Sequence, residues 1–515
     1  MRFAFQKVSS VHLRTGNSMM KYKTWVLIVL MALRLPAVAG AQAALWVDLA
    51  PLIELTNRMA VPADHIPDAE ELAWYFGRPA LLTAGFAMRT GPLLAHMTIE
   101  MQQDTGEALM GGSLTNLLIA HDFSRFIFSN NYPRLGYLEG RGNRWWFSLG
   151  RRPLAIGNGS LSLSLSDENP WYDHAGGGLR APLGTAILAY DFLAVSVPRR
   201  GSGTDLQGKN VFMHRLALQG GRLSLAVAEY NLVTGVVPDF QDIGPFVVYH
   251  HLFADGSNVM AQAEGTVDMG DAVRVRAGVL MDDFRLASEG SSSNPTAMGA
   301  TFGVDLGWGV RVADEQNRIA KSSLAPGLML GCGEQHVFER NGALRVGTTD
   351  MQVRYQHRLS VDLAWASTYL YRRSISSPSQ AFQGRYSLQT DSMGWPMVEP
   401  WLAWPLGPDR IMARLQYTGY SGSLAWGLKA DATLYGVEAS ERTYQEPYAE
   451  AWWGPQAPCT LGWGVTARLQ ALVARGQLAT LTASAKRVQE GRDVFALSLS
   501  WLIRLQAETF SSIRQ

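Results

Sequence analysis

The chain has 515 residues, with 45 basic and 44 acidic side chains and a formal net charge of +1. That balance excludes steering by bulk charge toward a nucleic acid or another polyanion. Charged residues are 17%, below the ~25% usual for soluble domains, and 51 glycines exceed the average share of ~7%. Mean hydropathy is −0.03, and past the N-terminus no apolar run reaches the ~18 residues of a membrane helix, so a helical membrane protein is excluded. Two cysteines exclude a disulfide-built scaffold and a cysteine-based zinc domain.

At the N-terminus, Lys21 and Lys23 precede the apolar run Trp25 to Leu33, which ends at Arg34 and leads into the small-residue stretch Ala37 to Ala43. This is the order of a secretory signal, and the run is too short for a permanent anchor. Residues 1–43 are read as an N-terminal extension and signal for Sec-type export. Cleavage is expected after Ala43, with Ala39 as the competing site and Met19 or Met20 as a more ordinary start. No cysteine follows, which argues against a lipid anchor. Residues 44–80 are expected to form a short helical periplasmic element: Leu49, Leu52, Ile53 and Leu55 to Met59 make one amphipathic face. Asp68 to Tyr75 make another, started by the turn former Pro67.

From residue 81 to the end, the dominant signal is alternation with period two. Ala95, Met97, Ile99 and Met101 share one face, while His96, Thr98, Glu100 and Gln102 share the other. Around Gly220-Gly221, Leu216 and Leu218 meet Leu223, Leu225 and Val227, with Arg215, Gln219 and Ser224 pointing the opposite way. The last strand carries Phe495, Leu497, Leu499, Trp501, Ile503 and Leu505 on one face. Soluble β-sandwich domains run near ~100 residues, so this length would need several modules joined by linkers. Neither repeats nor linkers are present. A transmembrane barrel, by contrast, has lipid on one face and water on the other and pairs every backbone group between neighbours. At ~24 residues per strand and its share of turns, residues 81–515 read as an all-β, antiparallel up-and-down outer-membrane β-barrel of about 16–18 strands.

Trp145-Trp146, Trp171-Tyr172, Trp452-Trp453 and Trp501 lie near the ends of alternating segments, where interfacial girdles belong. Polar, glycine-rich gaps at 201–208, 287–294 and 374–380 read as longer external loops. The chain ends at Gln515, so either the last strand stops near Leu505 and a tail follows, or Phe510 is a displaced terminal aromatic for the barrel assembly machinery.

The stretch Gly150-Arg151-Arg152 with Gly157 and Gly159, followed by Ser166 and by Trp171-Tyr172-Asp173-His174, resembles the glycine-arginine, glycine-x-glycine and serine-asparagine signature of capsule-assembly outer-membrane proteins of the Wzi type. His214-Arg215 with Glu229, Asp282-Asp283 and Gly407 before Asp409 follow in that family's order. The motif departs at Ile156-Gly-Asn-Gly159, where tryptophan-glycine-proline-glycine is more usual. The resemblance implies a closed or plugged barrel of about eighteen strands, with a periplasmic helical element and a role in binding surface polysaccharide.

Read from the residues themselves, Arg274, Arg276 and Asp282 share parity on one strand. They must face inward, because a charge facing lipid at mid-membrane costs ~2–4 kcal/mol. Mutual pairing of the three is the expectation, with a permeation or ligand role as the alternative. His214 and Glu229 face lipid if Gly220-Gly221 is a regular two-residue turn and face the lumen if it is bulged. Catalysis finds little support: His250-His251 and Asp282-Asp283 are adjacent on strands and point to opposite sides. No serine elbow or phosphate loop is present either, so no enzyme activity, metal or cofactor is expected. Cys332 and Cys459 would pair only if their loops share a rim.

Two functions remain. A surface-glycan-binding barrel would use Trp171, Tyr172, Asp173 and His174, with Trp395, Trp401 and Trp404 as a second cluster. A porin would use lumen charges such as Arg274, Arg354 and Arg414. Outer-membrane lipid is a partner in both readings, and nucleic acid in neither.

Overall fold

The computed structural model describes residues 42–59, 69–103, 108, 115–117, 135–157, 161–169, 171–197, 208–234, 257–283, 294–311, 344–346, 355–372, 381–382, 386–387, 397–398, 401–403, 407–421, 423–436, 448, 451–474, 476–487 and 493–510. The wall begins with β1 (Gln42–Leu49) and β2 (Leu52–Thr56), and continues through β3 (Leu82–Thr90), β4 (Leu93–Met101), β5 (Leu135–Arg141) and β6 (Trp145–Arg152). A short β7 (Leu154–Ile156) leaves the wall, which resumes at β8 (Tyr172–Leu183), β9 (Ala186–Val197), β10 (Lys209–Gly220) and β11 (Leu223–Thr234). Next come β12 (Ser257–Asp268), β13 (Val273–Asp283) and β14 (Ala297–Arg311), the short β15 (Leu344–Val346) and β16 (Tyr355–Ala366). After the two-residue strands β17 (Tyr386–Ser387) and β18 (Met397–Val398), the wall finishes with β19 (Arg410–Ser421), β20 (Leu424–Gly436), β21 (Cys459–Ala474), β22 (Gln477–Arg487) and β23 (Asp493–Phe510).

Every wall strand pairs antiparallel with its neighbour, and β1 pairs with β3 on one side and β23 on the other. β2 continues β1 along β23, so the two are halves of one wall strand and the sheet closes as an 18-stranded barrel. The break falls at Pro51, which has no N–H for the ladder; its carbonyl still accepts from Trp501 N at 3.1 Å. Here the expected helix at 44–59 is corrected. Val47, Leu49, Ile53 and Leu55 are exposed, whereas Trp46, Asp48, Leu52 and Glu54 are buried, which is the period of a strand. Leu49, Leu52 and Ile53 imitated helical spacing because inward Leu52 is apolar as well as the lipid-facing Leu49 and Ile53, while the alternation itself runs unbroken through Ala50-Pro51. The wall therefore starts at Gln42 rather than near 81.

The helix that is present, α1 (Ala69–Gly77), lies between β2 and β3. The first residue of β1, Gln42, and the last of β23, Phe510, pair at the rim that also carries the tight turns 91–92, 184–185 and 221–222. Short turns mark the periplasmic side of such barrels, so α1 sits on the opposite, outer rim with the long connections. The expected periplasmic placement is corrected accordingly. The loop gaps expected at 201–208, 287–294 and 374–380 lie outside the described residues save Gly208 and Asn294; the strand ends that flank them, Val197, Lys209, Asp283, Ala297 and Ala366, are at the outer rim. The last strand runs through to Phe510.

Gly221 adopts φ +56, a left-handed conformation that costs glycine nothing, and the β10–β11 register is unbroken up to Gly220↔Leu223. The two-residue turn is regular. His214 and Glu229 therefore face outward, with Leu216, Leu218, Leu225 and Val227 below them exposed to lipid. Inside the wall, the seam between first and last strands is held by Arg504, whose guanidinium donates to both Asp48 oxygens at 2.6 Å. It also lies 5.4 Å over the Trp46 ring. Trp46 stacks on His96 at 5.5 Å, and His96 on Tyr137 at 5.1 Å. Arg152 closes the column 3.8 Å over Tyr137. Gly85 makes room for it, since a Cβ there would run into the Trp46 indole. Asp48→Ala leaves Arg504 buried without its carboxylate, a loss of about 3–5 kcal/mol. The expected outcome is a lower temperature for the folded-to-unfolded mobility shift on gels; an unchanged transition would show that the seam does not depend on this pair.

Candidate functional site: the occupied lumen

The described parts of two outer-rim connections, 153–157 with 161–169 and 367–372 with 381–382 and 401–403, pack inside the barrel. Gly157, at φ +106, makes the first bend. Ser162 Oγ donates to Ile156 O at 2.7 Å, and Ser164 Oγ to the Tyr230 hydroxyl at 2.9 Å. Leu154, Ile156, Leu161, Leu163 and Leu165 then pack with Leu370, Phe382 and Leu402 against the inward wall residues Leu193, Met213, Tyr230, Met260 and Leu280. Each such side chain removed from water contributes about 1.5–3 kcal/mol, so this part of the lumen is a core and not a channel. Tyr371 donates its hydroxyl to Leu163 O and adopts φ 68, a strained conformation for a bulky residue that the surrounding packing must hold. Asp409, fully buried, accepts from Thr368 Oγ1 at 2.7 Å and Gln456 N at 3.1 Å. It thereby ties two outer connections together. The connection 312–354 opens on the periplasmic rim, yet its β15 pairs parallel with β7 inside the barrel.

Below and beside this plug, the inward wall carries ion pairs. Arg215, 1% exposed, joins Asp191 (3.3 Å) and Glu264 (2.6 Å). Asp191 also takes Arg180 at 2.8 Å and the Trp146 indole N–H at 2.8 Å. Arg276 lies 3.1 Å from both Asp305 and Asp362, and Arg358 3.1 Å from Asp305. Arg414 joins wall to plug through Asp431 and Glu168, both at 2.7 Å. A charge buried in this way is tolerable only when paired.

The sequence placed Arg274, Arg276 and Asp282 on the inner face, and they are there, but they do not pair with one another. Arg274 binds Asp268 at 2.6 Å, and Asp282 accepts from Tyr371 N at 3.1 Å. Same-face neighbours along a strand are ~7 Å apart, whereas cross-strand partners are ~5 Å apart, so the pairs form across strands. Asp283, past a register shift, instead takes the Asn294 amide at 3.2 Å. The candidate aromatic cluster is interior. Trp171 is 2% exposed and edge-on to Phe76 of α1; Tyr172 is fully buried, its hydroxyl donating to Leu402 O at 3.0 Å. His174 meets Ser148 Oγ at 2.7 Å. Only Asp173 keeps substantial exposure, and it is held by Arg151 at 2.6 Å. Trp401, 6% exposed, packs beside Gly407, whose φ +94 and missing Cβ leave room for the indole. These rings are spent on protein contacts and offer no free face to a sugar.

Among the family-motif residues, Gly150 at φ +129 lets β6 approach the Gly136 carbonyl, and the Ser166 backbone N–H donates to Leu402 O at 2.8 Å. His214 Nε2 lies 3.1 Å from Glu229 on the outer face. The pair sits between exposed Leu216 and Val227 below and buried Phe212 and Val233 above. It thus lies at the upper edge of the lipid-facing band, where a polar pair escapes most of the mid-membrane penalty. Trp145 and Trp501 face outward as girdle residues, whereas Trp146 faces inward. Trp395, Trp404, Arg354, Gly159, His250, His251 and Cys332 lie outside the described residues. Cys459 is a free, exposed thiol on the outer rim, while the connection that holds Cys332 starts at Arg311 and ends at Tyr355 on the periplasmic rim.

Neither a family model nor a curated protein sequence matches the chain. Among solved structures, it is similar to Wzi of Escherichia coli, an outer-membrane protein involved in group 1 capsule assembly and a carbohydrate-binding β-barrel. Identity there is 11%, over 93% of this chain and 88% of that one, with a TM-score of 0.45. It is also similar to OccD3 (OpdP) of Pseudomonas aeruginosa, at 12% identity over 91% and 92% of the two chains and a TM-score of 0.39. A third likeness is to Pseudomonas aeruginosa OpdK with vanillate, at 11% identity over 91% and 99% and a TM-score of 0.38.

Two outcomes follow from the lumen. Arg215→Met strips the shared cation from Asp191 and Glu264 and is expected to cost about 3–5 kcal/mol, read as a lower urea midpoint of the purified barrel. The Tyr371 phenol is pushed well above its usual range by burial, with Asp282 adding to the shift. A raised folded-state pKa stabilises the fold below the ordinary phenol range and loses that contribution as pH rises above it. Stability should therefore fall from about pH 10 upward, and a phenolate absorbance titration of Tyr371→Phe should lack one late-titrating group.

Proposed function

We propose that this protein is an outer-membrane barrel that acts at the cell surface by binding, in the handling of surface polysaccharide, and not by catalysis or by conducting solute through a wide pore. The observation that carries the reading is the plug. Leu154, Leu163, Leu165, Leu370, Phe382 and Leu402, all within 1% of full burial, fill the lumen against the wall. A wide aqueous path would require exposing that core, at about 1.5–3 kcal/mol per side chain. The polysaccharide class comes from the motif resemblance at 150–174 and the carbohydrate binding of Wzi. Purified protein in a planar bilayer should show no large stable conductance while being retained on a surface coated with the host bacterium's polysaccharide. A large open conductance without retention would instead establish a porin, with the lumen arginines setting its selectivity.

Export is part of the same reading. Gln42 and Ala43 pair with Phe510 and Thr509 in the closing strand, so cleavage after Ala43 would remove two rungs of the seam. Cleavage after Ala39 would preserve them. N-terminal sequencing of the mature protein is expected to begin at Gly40; a start at Ala44 would show that the seam does without those rungs.

A further inference from the structure

The periplasmic rim is unevenly charged. From β3 to β11 its connections are the tight turns 91–92, 142–144, 184–185 and 221–222, all within the described residues, so no longer segment rises from this arc to cover it. The long connection 312–354 springs from β14 and β16, outside the arc. At the ends of the arc's strands, Arg89, Arg141, Arg144 and Arg222 are exposed. Arg89, Arg144 and Arg222 have no carboxylate partner among the described residues, and Arg141, with its side chain 62% exposed, pairs with Glu139. The inward carboxylates nearby are already committed. Glu139, largely buried, is shared with Arg152 at 2.7 Å, and Asp191, fully buried, is shared by Arg180 at 2.8 Å and Arg215 at 3.3 Å. The surplus at this part of the rim is therefore positive. It stops at β12, where Asp268 meets Arg274 at 2.6 Å and the next turn carries exposed Asp271.

The same strand ends fix the level of the membrane. Leu179, Leu183 and Leu223 are the last outward residues before their turns and are 64%, 60% and 46% exposed, toward lipid. Trp145 faces outward beside them and stacks on Phe147, with ring centroids 5.9 Å apart. A Cβ on Gly142 would lie 2.5 Å from the Trp145 indole nitrogen, so the indole folds against the very turn that carries Arg144. Arg180 N donates to Arg144 O at 2.8 Å and ties that turn to β8. Aromatic girdle rings sit at the headgroup layer. Arg144 and Arg222 immediately precede Trp145 and Leu223 in the chain, which puts their guanidinium groups at the depth of lipid phosphates.

We infer that the periplasmic rim from β3 to β11 is a docking surface for anionic phospholipid headgroups, taking phosphatidylglycerol or cardiolipin in preference to phosphatidylethanolamine. A guanidinium presents a planar fork of donors that matches phosphate oxygens. A zwitterionic headgroup brings an ammonium with every phosphate and so meets the arginine surplus with a like charge, whereas an anionic one brings none. The girdle position of Trp145 favours lipid over a soluble anion, because the headgroup layer is the medium that this rim already touches. The surface requires only the barrel and is independent of the polysaccharide reading.

The test is native mass spectrometry of the full-length protein, released from micelles that hold equal amounts of cardiolipin and phosphatidylethanolamine. The parent should retain cardiolipin severalfold over phosphatidylethanolamine, and the preference should shrink as salt is raised. Arg144→Gln should weaken cardiolipin retention about fivefold, the effect of one basic side chain at a lipid surface, and adding Arg222→Gln should weaken it further. Asp271→Asn, on the neighbouring turn, should keep the preference. Folding of each variant is verified by heat-modifiable mobility. Equal retention of the two lipids by the parent, or an undiminished preference in the folded double variant, would overturn the docking surface. Displacement of cardiolipin by an equal charge of inorganic phosphate would assign the arginines to a free anion, and displacement by polygalacturonate would assign them to an acidic polymer; either would overturn the lipid site.

Discussion

Lipid offers a backbone no hydrogen-bond partners, so each N–H and C=O of a spanning strand must be paired by another strand of the same chain. In this protein that requirement comes down to one strand, β1 with its continuation β2, which must pair with β3 on one side and β23 on the other. Everything else in the wall can form by local hairpins. Only the seam joins residues more than 400 positions apart, as in Arg504 with Asp48. The ion pair and the column of Trp46, His96, Tyr137 and Arg152 therefore stand where a loss of pairing would open an edge to lipid.

Closure creates a second problem, which is what fills the space enclosed. An 18-stranded wall is wide enough for a water-filled lumen, yet two outer connections enter it and build an apolar core against one side. The wall answers with two chemistries. Where the plug lies, inward residues are Leu, Val, Met and Tyr; beside and below it they are arginine-carboxylate pairs. Inside the barrel, cations and anions are consumed by each other, as Arg215, Arg276 and Arg414 are by their carboxylate partners. The remaining inner wall, on β21–β23, carries Thr466, Thr482, Ser484, Ser498 and Ser500 beside Arg468 and Gln470.

Much of this was legible in the residues. Parity along strands assigned Arg274, Arg276, Asp282 and Arg414 to the lumen, and Leu216 or Leu499 to lipid, because side chains alternate whatever the register. Parity says nothing about which strand lies opposite, so the partners of Arg276, on β14 and β16, were out of reach. Trp171, Tyr172 and Trp401 looked like sugar platforms because aromatics beside Asp and Asn suit that chemistry. Their burial follows from connections that fold inward, and a loop that enters a barrel reads the same as one that leaves it. The segment 44–59 misled for a smaller reason: an apolar Leu52 on the inward face, between lipid-facing Leu49 and Ile53, gives a strand apparent helical spacing.

The sequence by itself determined that the chain is a closed antiparallel barrel with one apolar and one polar face, since that follows from period and length alone. Tertiary structure decided the strand that closes it, the side on which α1 sits, the pairing of the lumen charges and the filling of the lumen. Each of those depends on contacts between residues far apart in the chain, and a one-dimensional pattern carries the direction a side chain points but not what it meets there.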